Sequence, residues 1–168
     1  MHVYSHVTSQ TGGWQVVNDS LSSTAVVPDD SKELSRLAKL FPVRDGEKSW
    51  TAREVKDVAD DLVSDVDRLT GELAAADAEL SDLLRNSGDG AGDDQADSGS
   101  SALEREQELT LVNNTRDMLG QTQRALSRIS AGTFATCEAC GKAIGKARLQ
   151  AFPRATLCVE CKQREERR

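Results

Sequence analysis

The sequence predicts a mainly α protein: a long antiparallel two-helix coiled-coil hairpin, a small four-cysteine zinc finger with a short C-terminal helix, and a disordered N-terminal tail. Three observations lead there. From Val66 to Leu83 apolar residues recur in alternating steps of three and four, the spacing of a heptad seam. Near the end of the chain stand two paired cysteine turns, Cys137 with Cys140 and Cys158 with Cys161. Of the 168 residues only 4% are aromatic and 38% hydrophobic, against 29% charged, too little bulky apolar side chain for a thick globular core. An elongated helical body with a small stapled module fits such a composition.

Residues 1–45 read as a tail and linker holding one short helix. The first 30 or so are rich in Ser, Thr, Gly and Asn without a sustained period, the pattern of a disordered segment. Ser31 to Phe41 can form a helix with Leu34, Leu37, Leu40 and Phe41 on one side, ended by Pro42. The hairpin spans residues 46–132. Its first helix starts at a capping box, Thr51 with Glu54, flanked by Trp50 and Val55 as a hydrophobic staple. It runs from about Ala52 to Arg85, with Val55, Val58, Leu62, Val66, Leu69, Leu73, Ala76, Leu80 and Leu83 as its stripe. At about 1.5 Å per residue that helix is roughly 50 Å long, and a rod apolar on one stripe needs a partner.

Residues 86–101, rich in Gly and Asp, form the tip loop. Ser101 with Glu104 reads as a second capping box, opening a helix that runs to about Ala131, where Gly132 offers a C-terminal cap. Its apolar positions are Leu103, Leu111, Val112, Met118, Leu119, Ala125, Leu126 and Ile129, with Asn113, Asn114 and Thr122 as interruptions. Two similar helices joined by a short loop favour an antiparallel hairpin over dimerisation of the first seam with another copy, so a monomer is expected.

Residues 133–168 form the finger. The spacing is C-x2-C-x17-C-x2-C, within the range of a four-cysteine zinc site. Each C-x2-C turn aims two thiolates at one point, and two turns close a tetrahedron. Gly141 can take the positive φ of a tight knuckle. Lys162 to Arg168 can continue as a short helix whose N-terminal amides favour thiolate charge. Four thiolates leave no open coordination position, so one structural zinc ion is expected rather than a catalytic one; a redox-switching site is the alternative. Such a site carries a net charge of about −2, and Lys142, Lys146, Arg148 and Lys162 are near enough in sequence to offset it.

The formal charge of −7 is unevenly spread. Thr51 to Ser100 holds 14 acids against 4 bases, and Lys142 to Arg168 holds 3 acids against 8 bases. That asymmetry suits a partner that reads charge. No basic start followed by an apolar run opens the chain, and no stretch approaches the ~18 apolar residues of a membrane span, so a cytoplasmic protein without a membrane partner is expected. In that compartment paired cysteines are metal ligands or redox centres more often than disulfides.

Residues 125–162, ALSRISAGTFATCEACGKAIGKARLQAFPRATLCVECK, closely resemble the C-terminal zinc finger of the DksA/TraR family. The resemblance runs through Ile129, Gly132, Thr133, Phe134, both cysteine pairs, Ile144, Arg148, Leu149, Pro153, Thr156 and Leu157. The preceding coiled coil is similar to the family's hairpin, so the likeness covers roughly residues 45–168. It implies a bacterial transcription regulator that binds RNA polymerase, and not a specific DNA sequence. In this family the coiled coil enters the polymerase secondary channel, and acidic tip residues alter initiation, in some members together with ppGpp. The family's tip pattern, Asp-x-x-Asp-x-Ala, matches Asp94-Gln95-Ala96-Asp97-Ser98-Gly99, with Gly99 where alanine is expected. The resemblance thus implies tip roles for Asp94 and Asp97.

Other classes fit less well. Direct nucleic-acid binding by the basic finger would find few stacking platforms, since Phe152 and Phe134 are the only nearby aromatics, and the acidic hairpin repels phosphate. Redox sensing through the thiolates is compatible with polymerase regulation. A plain coiled-coil assembly protein would need no finger. No enzyme is expected, because the chain offers no nucleophile with a base, phosphate loop or open metal site.

Overall fold

The computed structural model describes residues 30–86 and 95–167, and no side chain of 86 or 95–101. It contains α1 (Ser31–Leu40), α2 (Ala52–Asn86), α3 (Gln95–Ser130), α4 (Lys146–Ala151) and α5 (Val159–Glu166). Among the described residues the β-structure is one isolated bridge, between Thr136 and Ala143. The expected disorder of residues 1–29 lies outside the described residues.

The Asp30 side chain caps α1 by accepting the Lys32 N–H at 3.1 Å. Phe41, forced to extended backbone by Pro42, ends it with ψ at 118°. Residues 34–41 are not a loose linker: Leu34, Leu37, Ala38 and Phe41 are buried in the core. A short amphipathic pattern cannot itself say what its apolar side will meet; here that side closes over the base of the hairpin.

The capping box of α2 is formed. The Thr51 N–H donates to Glu54 Oε2 at 2.9 Å, and the Glu54 N–H donates to Thr51 Oγ1 at 3.3 Å. Trp50 and Val55, the two halves of the staple, are both buried. Helix α3 begins at Gln95, so Ser101 and Glu104 lie inside it and the tip connection is shorter than residues 86–101. Once a helix is nucleated each further residue adds a hydrogen bond, and one interior glycine at about 1 kcal/mol does not stop it.

Helices α2 and α3 run antiparallel along each other, with Asp77 of one accepting from Arg116 of the other at 3.3 Å. Val55, Val58, Leu62, Val66, Leu69 and Ala76 are buried along the α2 seam, and Leu73, Leu80 and Leu83 are half-buried. On α3 the seam differs from the sequence reading. Leu103 and Leu111 are exposed, while Thr115 and Thr122 are buried beside Val112, Leu119, Leu126 and Ile129. Thr122 can sit there because its hydroxyl donates to the Met118 carbonyl at 2.8 Å, leaving a methyl to pack.

Gly132 ends α3 with φ at 73°. The Thr133 N–H returns to the Arg128 carbonyl at 2.9 Å and the Gly132 N–H to Ile129 at 3.0 Å, a Schellman turn. A Cβ at Gly132 would also lie 2.8 Å from Leu40 Cδ1, so this position both turns the chain and admits α1.

Leu62 is fully buried in the proximal seam. Leu62→Ala should lower unfolding stability by about 2–5 kcal/mol, measured as a reduced urea midpoint with unchanged helical signal before the transition.

Candidate metal centre

Each cysteine pair is presented by its own tight local structure. In the first knuckle the Cys137 N–H donates to the Lys142 carbonyl and the Gly141 N–H to the Cys137 carbonyl, both at 2.8 Å. Gly141 closes this turn with φ at 69°, as its position after the cysteine pair suggests. In the second knuckle Cys158 is the N-cap residue of α5, and Cys161 lies in that helix's first turn. The helix begins at Val159, earlier than the sequence suggests, and α4 is a helix that the sequence does not signal. Gly145 precedes α4 and the segment is only six residues, too short for a periodic signal.

These turns bring the sulfurs of Cys137, Cys140, Cys158 and Cys161 within 4.8 Å of one another. Cys140 Sγ and Cys158 Sγ are 3.8 Å apart, far beyond a disulfide bond. A tetrahedron with metal–sulfur bonds of ~2.3 Å has edges of about 3.8 Å, so the donor set and its spacing fit zinc. All four protein positions are thiol, which leaves no vacancy for water or substrate.

The electrostatics of the cluster point the same way. Burial raises the Cys137 thiol, but donation from the Cys158, Cys140 and Ala139 N–H groups outweighs it and lowers the pKa from 9.0 to about 6. The Cys158 N–H approaches Cys137 Sγ to 3.3 Å. Cys161 is raised to about 12, first by its hydrogen bond with Cys158, then by burial and by Cys140 and Cys137. Crowded thiols share protons because their anions repel; a divalent cation among them removes that obstacle.

The cations the sequence places nearby are largely engaged elsewhere. Lys146 Nζ pairs with Glu54 at 2.7 Å, reaches the Ser49 carbonyl at 3.2 Å and lies 5.3 Å from the Trp50 ring centroid. Arg148 Nε donates to the Leu157 carbonyl at 3.2 Å, and Lys162 pairs with Glu165 at 2.8 Å. Two arginines were missed. Arg164 donates to Cys161 Sγ at 3.2 Å, for which the C-x2-R spacing on a helix is the available signal. Arg128, at the end of α3, donates to the Ala155 carbonyl at 3.3 Å, to Thr133 at 3.2 Å and to Thr136, and faces Glu138 at 3.6 Å. It thereby ties both knuckles to the rod. Burial lowers its pKa, while Glu138 and Cys137 oppose that shift.

Phe41, Trp50 and Phe134 complete the junction, with ring centroids 5.7 to 6.1 Å apart. Three segments distant in sequence each supply one ring, so finger, rod base and α1 share one core. Of the expected tip residues, Asp94 lies outside the described residues. Asp97 falls in the first turn of α3, with no description of its side chain.

Residues 132–167 match the family model described as the prokaryotic dksA/traR C4-type zinc finger. The whole-chain comparison agrees with it: the structure of transcription factor DksA2 from Pseudomonas aeruginosa is similar with a TM-score of 0.58 and 27% identity, covering 82% of this chain and 95% of that one.

The chain's finger is of the dksA/traR C4 type.

Its finger accordingly carries one structural zinc. Among curated members of the family, RNA polymerase-binding transcription factor DksA of Caulobacter vibrioides (strain NA1000 / CB15N) is 41% identical over 75 residues, 45% of this chain and 53% of the relative. The protein of the same name from Escherichia coli (strain K12) is 38% identical over 63 residues, 36% of this chain and 42% of the relative. The chain thus spans about half the length of the curated family members it matches. Among the described residues, no helix is long and apolar enough to cross a membrane.

The Lys146 contact, foremost among its causes, holds the Glu54 carboxyl below its ordinary value of 4.5, against the opposing effect of burial. A carboxylate with a depressed folded-state pKa stabilises the fold above its ordinary pKa, and that contribution is lost as pH falls through the depressed value. Glu54→Gln should therefore lower the melting temperature at pH 7 and narrow the difference from wild type below pH 4.5, measured by thermal melts across that range.

Proposed function

We propose that this chain is a DksA-like transcription regulator that binds RNA polymerase through the secondary channel and modulates transcription initiation. The observation that carries the reading is the pair of relatives, 41% and 38% identical, whose own name is RNA polymerase-binding transcription factor. The charge distribution supports it. An acidic rod with a net of −10 from Thr51 to Ser100 stands on a finger whose last 27 residues carry a net of +5. Such a molecule repels phosphate along its length, which favours a protein channel over DNA as the surface the rod meets.

In this reading Cys137, Cys140, Cys158 and Cys161 hold the zinc, and the zinc has a supporting role. It keeps both knuckles closed on Arg128 and the aromatic junction, so the rod leaves its base at a fixed angle. Asp94 and Asp97 are the tip groups brought near the polymerase active site, where carboxylates act on bound magnesium and its ligands. The protein works as a cytoplasmic monomer, and ppGpp is a candidate co-effector. Domain limits follow the same plan: a hairpin over residues 46–132 and a finger over 133–168, with α1 as a strap across their junction.

Purified protein should contain one zinc per chain by elemental analysis and should retain core RNA polymerase in a pull-down. Cys158→Ser should lose both the metal and the interaction. Asp94→Asn/Asp97→Asn should keep polymerase binding but lose the effect on open-complex lifetime, with and without ppGpp. A wild-type protein that carries zinc yet fails to bind core polymerase would defeat the polymerase reading. Metal-free reduced protein would defeat the assignment of the four ligands.

A further inference from the structure

The geometry points to Arg164 as an outer-sphere partner of the zinc centre: we propose that its guanidinium holds down the charge and reactivity of the Cys161 thiolate. The inference rests on the four cysteines being the zinc ligands.

The arrangement follows from helix geometry. In α5, Cys161 and Arg164 are three residues apart and therefore neighbours on one side of the helix. The guanidinium donates to Cys161 Sγ at 3.2 Å, within a small cleft also lined by Ala139, Leu157 and Glu165. The same helix sorts its other charges differently. Lys162 is drawn to Glu165 at 2.8 Å and Glu166 at 4.0 Å, so it does not compete for the sulfur.

A tetrathiolate zinc site has a net charge of about −2, and its sulfurs keep lone pairs that react with electrophiles or protons. Backbone donors serve the first knuckle, where the Cys158 N–H lies 3.3 Å from Cys137 Sγ. Cys161 is served instead by a full positive charge. Charge-assisted donation to an anion is about twice as strong as a neutral hydrogen bond. Removing a partner outside the ligand shell commonly lowers metal affinity by about 10- to 100-fold. Arg164 is thus a positioning residue that makes one of the four ligands a poorer nucleophile and a better anchor.

The test uses full-length protein and three variants, Arg164→Gln, Arg164→Leu and Arg164→Lys. Zinc content, zinc affinity by competition with a chromogenic chelator, and the order in which cysteines are alkylated by iodoacetamide are measured together. The last is read by peptide mass mapping. Wild type and variants should each purify with one zinc. The Gln and Leu variants should yield zinc to the chelator about 10-fold more readily. Cys161 should move to the front of the alkylation order in these two variants, and Arg164→Lys should restore much of the wild-type behaviour. Zinc-loaded Gln and Leu variants with wild-type affinity and alkylation order would overturn this proposal alone. Equal losses in all three variants, Lys included, would assign Arg164 to packing and overturn it too. A wild type without zinc would overturn the ligand assignment, and this inference with it.

Discussion

Four sulfur atoms within 4.8 Å of one another form a site that the polypeptide cannot stabilise by itself. Against burial, backbone N–H donors lower the Cys137 pKa while the neighbouring thiols and burial raise that of Cys161, so the two are driven in opposite directions within one cluster. A divalent cation turns that conflict into four bonds, and the fold around it is arranged accordingly. Both knuckles are turns with few large apolar residues of their own, and Phe134, Ile144 and Leu149 reach into a core shared with the rod. Metal ligation shapes the finger, and the finger in turn closes the base of the hairpin.

That closure is made by few groups. The chain has little aromatic side chain, and half of it meets at Phe41, Trp50 and Phe134. Around these rings Arg128 ties α3 to the carbonyls ahead of each cysteine pair, while Lys146 ties α4 to the capping box of α2. Both are cations largely removed from water and satisfied by several oxygens, so each holds a direction as well as a contact. The orientation of a long rod relative to its base is sensitive to such contacts, because a small angular error at the junction grows along its length.

Features whose determinants are local were legible in the sequence. The cysteine spacing, the Thr51–Glu54 box, the Trp50–Val55 staple and the Gly132 and Gly141 turns all involve residues within a few positions of each other. The α2 seam was legible because its period is regular. What could not be read depends on partners far along the chain. Burial of Leu34, Leu37 and Phe41 requires the hairpin base, and Lys146 reaches Lys48 and Ser49 across nearly 100 residues. Thr122 looked like an interruption because hydropathy ignores a hydroxyl that bonds back to its own helix. The start of α3 is hidden in the sequence because Ser101 and Glu104 imitate a cap that the helix runs through.

The seam has one further property. Its closely packed positions crowd toward the base, from Val55 to Leu69 on α2 and from Thr115 to Ile129 on α3. Farther out Leu73, Leu80 and Leu83 are only half-covered, and Leu84, Leu103, Leu109 and Leu111 face outward. Local opening free energy follows buried apolar contact, so it declines along the described length of the rod. The hairpin is in effect a cantilever: clamped where zinc and aromatic rings grip it, and more compliant with distance from the clamp. Such a gradient lets the outer turns yield to a load while the base keeps its bearing.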